Sequence, residues 1–445
     1  MANRGSLCAL LVLAACDTPP LDTTDADPGT LERVATFPAA PRPLDLMLVI
    51  DDSPSMLDKQ VALASTFPQL VAKLESFDGG LPDLHIAVVS TDMGTSARLD
   101  ALPGPTIGSG GNGGCTGRGK AGGFIVQQNV LRSTTTVSFL AHPRGGEPNY
   151  NGTLESALST QVRLGAGGCG FEQPLAALKA SFANPVNAGF VRPEASLAVV
   201  ILSDEDDCSA RYNSLFSPDS SSLGPLMSFR CFRFGVECSP DTVNEPGAKT
   251  ACQPRHASEA IIDDIAPYGD AVLAAKSNDA RKVMLAAIVA PSDAVAVEMR
   301  AQPGSGALQN NVAHACTYTS AMGQSAVADP AVRLNALVDS FPGLHVRETI
   351  CNADLAPAAS SIGLELERLI VGDRCLYRAI AANEDCSVVD ETGDNPAVPI
   401  AKCGGGATTC YAIVADGACG SGFRVDVART EPAPANTFTT LSCSR

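Results

Sequence analysis

This sequence has no tryptophan, and aromatic residues make up only 5 % of its 445 positions. A core here is therefore built from Ala, Val, Leu and Ile, residues that suit close-packed buried strands. No run of 18 uninterrupted apolar residues occurs, so no segment should cross a membrane as a helix. No basic cluster offsets the acidic balance: 31 Lys and Arg against 48 Asp and Glu leave a formal charge of −17. That field repels nucleic acid and anionic lipid and favours cations or basic surfaces. The cysteines contain no C-x-x-C, which removes zinc-ribbon and thioredoxin readings. The histidines form no H-E-x-x-H, and there is no G-x-S-x-G elbow. Gly114 to Lys120 fits G-x-x-x-x-G-K, but Ala121 stands where a phosphate loop needs Ser or Thr, and no strand precedes it.

What is present begins at the N-terminus. Arg4 precedes the short apolar run Leu7 to Ala15, which has the form of a signal-peptide core. Leu13-Ala14-Ala15-Cys16 resembles a bacterial lipobox, which implies cleavage before Cys16, lipidation of its thiol and a membrane anchor of several acyl chains. An ordinary cleaved signal with Cys16 in a disulfide is the alternative. Loss of Arg4 with residues 1–15 takes the charge to −18. Residues 17–30 are rich in Pro, Asp and Thr, the composition of a solvated tether, which we extend over 16–42. Of the 16 cysteines, 14 remain once Cys8 and Cys16 are set aside. This even number fits disulfides in an oxidising compartment of the cell envelope. Cys231 and Cys238 are close enough to close one loop, and Cys316 and Cys351 could bracket another.

Apolar strand patterns at 44–50, 85–89, 197–202 and 283–289, with a further strand expected at 344–349, alternate with helical patterns. This arrangement predicts an α/β fold with a doubly wound, mainly parallel sheet over residues 43–370. Long cysteine-bearing insertions lie near 207–254 and 291–340. Pro68 should split the helical stretch after the first strand. Residues 371–445 hold six cysteines and short β-prone pieces, and should form a small stapled β-rich module.

The chemistry gathers after two of those strands. Asp51-Asp52-Ser53-Pro54-Ser55 follows Leu46 to Ile50, and Ser203-Asp204-Glu205-Asp206-Asp207 follows Ala198 to Leu202. Ligands collect beyond the carboxyl ends of parallel strands, and hard divalent cations take oxygen donors. The same serines also fit a capping box with Asp58, and Asp206 and Asp207 read as a solvated acidic loop, with assistance to the metal or a separate Ca²⁺ site as the alternative. D-x-S-x-S with the second acidic turn resembles the metal-ion-dependent adhesion site of the von Willebrand factor A domain. That resemblance implies a Rossmann-like fold and a Mg²⁺ or Mn²⁺ ion, with Ca²⁺ also within range of such donors. It assigns Asp51, Ser53, Ser55 and Asp204 as ligands and leaves one position open for an acidic group of a partner protein or other ligand. The Thr of the family's middle loop is absent from Gly168-Cys169-Gly170-Phe171-Glu172-Gln173. Glu172 or Gln173 substitutes for it, or water does, or the site is weak. The expected function is a lipid-anchored envelope protein, not an enzyme, that binds or adheres through the metal. The alternatives are a structural surface protein with a metal-free site and a metal-assisted hydrolase using Asp51 and Asp204.

Overall fold

The computed structural model describes residues 31–444, apart from 78–79, 110–112, 240, 257–260, 303–305, 382–383, 418, 432 and 435. The signal sequence, the lipobox with Cys16 and residues 17–30 of the tether lie outside the described residues. The chain divides into two compact units. Among the described residues, one holds the span 37–373 with 433–438, the other 31–36, 374–431 and 439–444.

The larger unit is organised by one six-stranded sheet. Its order is Leu344–Thr349, Val283–Val289, Ser196–Leu202, Leu44–Ile50, Leu84–Ser90, Leu140–His142. The first five run parallel and Leu140–His142 is antiparallel. The three strands Leu44–Ile50, Ser196–Leu202 and Val283–Val289 are buried at every position. Alternate side chains divide the packing. Leu44, Leu46, Leu48 and Ile50 join Leu63, Phe67, Leu158 and Leu366, while Met47 and Val49 join Leu175, Leu178, Val272 and Leu337. Pro68 falls at the start of Phe67–Glu75, a second helix separate from Leu57–Ala64, where its missing N–H costs nothing.

The expected class, a doubly wound and mainly parallel sheet, does not describe the chain. Strand residues outnumber helical ones, and each of the five sheets formed by the described strands is antiparallel or mixed. The insertion near 291–340 carries two hairpins, Val295–Ala301 with Leu308–Val312 and Cys316–Thr319 with Ser325–Ala328. Cys316–Thr319 alternates half-buried with exposed residues. Such strands lack the continuous apolar runs of Leu44–Ile50, Leu84–Ser90, Ser196–Leu202 and Val283–Val289, so apolar patterning does not mark them.

The smaller unit carries a curled six-stranded sheet ordered Leu31–Pro38, Thr437–Ser444, Cys386–Thr392, Val398–Lys402, Cys410–Ala415, Phe423–Ala428. Residues 31–38, expected within the tether, thus form a strand. Its interior is small, with Val388, Tyr411, Val425 and Leu441 buried. Three disulfides, Cys375–Cys419, Cys386–Cys443 and Cys403–Cys410, constrain it, as a core of this size requires.

All 14 cysteines beyond residue 30 are paired. Cys316–Cys351 forms as expected, but Cys231 and Cys238 do not join each other. Cys208 bonds Cys231, and Cys238 bonds Cys252. The short ladder Val236–Glu237 against Gln253–Pro254 sets Cys238 opposite Cys252, while Cys231 sits on the preceding helix, Phe229–Gly235. Seven disulfides suit an extracytoplasmic protein. Among the described residues, no helix is long and apolar enough to cross a membrane.

Candidate functional site

Parallel register brings three strand ends to one place. Ile50 lies opposite both Ser90 and Leu202, so Asp51, Thr91 and Ser203 emerge side by side at the carboxyl edge. Backbone bonds from Asp51 to Leu202 (2.9 Å) and from Thr91 to Ile50 (3.2 Å) continue the ladders one residue further. The middle loop is fastened to the same edge. Gly168 N–H donates to the Asp52 carbonyl at 2.7 Å, Gln173 N–H to the Thr91 carbonyl at 3.0 Å, and Cys208 N–H to the Glu172 carbonyl at 2.8 Å. Position 168 requires glycine, because a Cβ there would stand 2.3 Å from Asp52 Oδ1. Cys115–Cys169 staples a glycine-rich stretch onto this loop.

The expected ligands converge. Asp51 is fully buried; its Oδ1 accepts from Ser53 N–H at 2.8 Å and its Oδ2 from Ser203 Oγ at 2.8 Å. Ser53 Oγ and Ser55 Oγ are 3.2 Å apart, and Ser55 Oγ donates to Asp204 Oδ1 at 3.1 Å. Glu172, 1 % exposed, carries an Oε1 with no hydrogen-bond partner among the described residues. Ser55 is the exposed member and marks the solvent side. Gln173 is committed elsewhere, accepting from Ala210 N–H at 3.2 Å. Glu172 is therefore the residue of the middle loop placed to act. The capping reading does not hold, since the helix Leu57–Ala64 starts at Met56 without a side-chain cap.

Carboxyl groups crowd the centre. Burial, then the charge of Asp204, pushes Asp51 up to about 7. Burial first, then Glu205 and Asp51, raises Glu172 well above the ordinary carboxyl range. Glu205 is raised likewise by burial and by Asp329. Asp204 is raised by burial, against the opposing pull of Lys59. Sequence reasoning missed Lys59, whose buried ammonium lies 2.9 Å from Asp204 Oδ2 and donates to the Ser55 carbonyl at 2.9 Å. The signal was its place one turn beyond Ser55, which puts its side chain back over that residue.

Asp206 and Asp207 are not a solvated loop. Asp206 accepts from the backbone of Arg333 and Leu334 at the start of the helix Val332–Asp339. Asp207 pairs with the Arg333 guanidinium at 3.0 Å and accepts from Leu175 N–H at 3.1 Å. Both tie helix starts to the strand end and leave no oxygen directed at Asp51.

The donor set fits a hard cation. Oxygens around Mg²⁺ at 2.0–2.1 Å stand about 3 Å apart along octahedral edges, close to the Ser53–Ser55 and Ser55–Asp204 separations. Among the described residues no three His, Cys, Asp or Glu side chains close into a metal cage; the donors here are led by hydroxyls. No protein-family model and no curated protein matches this chain.

Proposed function

We propose that this chain is an envelope protein that binds a partner through a divalent cation held by Ser53, Ser55, Asp204 and Asp51, with Glu172 beside them. The observation that carries the reading is the convergence of hydroxyl and carboxylate oxygens from separate loops at octahedral spacing, next to a buried carboxylate oxygen with no partner among the described residues. Bound metal, of the Mg²⁺ or Mn²⁺ kind, would supply a Lewis-acidic position for an oxygen of the partner. The chain's own residues orient it: Ser203 and the Ser53 amide hold Asp51, and Lys59 holds one oxygen of Asp204 so that the other faces the serines. The resemblance to the von Willebrand factor A adhesion site supports the same reading. Calorimetry on the full chain should show Mn²⁺ or Mg²⁺ binding that Asp51→Ala abolishes while far-ultraviolet dichroism is kept. Absence of binding at millimolar metal overturns it.

One observation favours a second reading. The Lys59 ammonium already neutralises Asp204 from within, as an internal cation would in a metal-free structural surface protein. A wild-type chain that takes no metal decides for it. The lipid anchor belongs to the same proposal: Cys16→Ser should abolish labelling by a palmitate analogue, and equal labelling of both forms would sink it.

A further inference from the structure

We propose that Glu172 is a direct ligand of the cation and makes the site prefer Ca²⁺ over Mg²⁺; this rests on the cation-binding reading above. Glu172 has little freedom to turn away. Its loop is fixed on one side by Gly168 against Asp52 and the Cys115–Cys169 disulfide, and on the other by its carbonyl, which accepts from Cys208. The side chain is 1 % exposed, and its Oε1 has no hydrogen-bond partner among the described residues. A buried acceptor without a partner is costly, more so when charged. A cation meets both the unpaired oxygen and the charge.

The kind of cation follows from the donors. Mg²⁺ demands a near-ideal octahedron and sheds water reluctantly, whereas Ca²⁺ accepts six to eight oxygens at longer, irregular distances, including a bidentate Glu. Asp204 has Oδ2 tied to Lys59 and offers only Oδ1. The two serines offer one oxygen each, at separations of 3.1 and 3.2 Å along the chain to Asp204. Glu172 is the residue with an oxygen to spare, and it adds a negative charge to those of Asp51 and Asp204. The added charge and the added oxygen both weight the site toward the ion that takes more ligands.

The structure also supplies a probe. The chain lacks Trp, and the half-buried Tyr318 lies close enough to Asp204 and Asp58 for their charges, after burial, to raise its phenol. Tb³⁺, a Ca²⁺ stand-in, bound to the full chain should luminesce on tyrosine excitation, and Tyr318→Phe should dim it. Ca²⁺ should displace Tb³⁺ at about tenfold lower concentration than Mg²⁺, and Glu172→Gln should raise the Ca²⁺ requirement about tenfold with Mg²⁺ little changed. Glu172→Thr should remove the preference while keeping Mg²⁺ binding. Equal displacement by the two ions, or an unchanged Ca²⁺ requirement in Glu172→Gln, overturns the inference and leaves the cation site standing if Asp51→Ala still abolishes the signal. Luminescence that Asp51→Ala leaves intact overturns both.

Discussion

Asp45 and Asp51 sit near opposite ends of one buried strand run and are both fully enclosed, yet their surroundings differ in kind. Asp45 meets cations. Its Oδ1 takes the Arg192 Nε at 2.8 Å, and its Oδ2 takes the Arg192 N–H at 2.8 Å and the buried Lys276 ammonium at 2.8 Å. Asp51 meets hydroxyls, an amide and other acids. One buried carboxylate is completed by the chain itself; the other is held in place without its charge being answered. A buried pair with all its bonds is structure, whereas an unanswered buried charge is retained at a cost and marks a place for something else.

The comparison can be broken by removing each acid in turn, in a chelator. Asp45→Ala strands Lys276 and part of Arg192 and should cost roughly 3–5 kcal/mol in urea unfolding. Asp51→Ala should cost under about 1 kcal/mol at neutral pH, because it relieves crowding. Equal losses at the two positions would mean that the two ends do the same work. A smaller effect sharpens the contrast. Folded Asp51 keeps its proton up to about pH 7 against an ordinary value of 3.8. Between those values the folded chain holds a proton that the unfolded one has released, so this group's contribution to stability falls as pH rises from about 4 to about 7. Relative to wild type, Asp51→Asn should therefore gain stability over that window by roughly 2–4 kcal/mol. A difference constant with pH would show that the carboxyl is not enclosed as described.

Much of this site was legible in the amino-acid order. Asp51, Ser53, Ser55 and Asp204 each follow a run of buried apolar residues, and parallel strands end together, so their meeting could be anticipated. Asp206 and Asp207 look no different from Asp204 in sequence, and only folding separates them. Their partners, Arg333 and the helix start around it, lie more than 120 residues away. Lys59 was missed because a lysine on a helix is ordinarily solvated, and its burial depends on Asp204 standing above it.

Residue order by itself determined four of the five parallel strands, because a continuous apolar run can be satisfied only by burial on both faces, whereas Leu344–Thr349 alternates half-buried with exposed residues. It also determined the even set of cysteines and the break at Pro68, since ring geometry forbids an unbroken helix there. Tertiary structure decided which cysteines join, because pairing depends on which loops the hairpins bring within about 6 Å. It decided the overall class as well, since short strands of alternating exposure gain their stability from partners distant in sequence. Above all it decided which acids are answered: charge is local to a residue, but its compensation depends on distance in space.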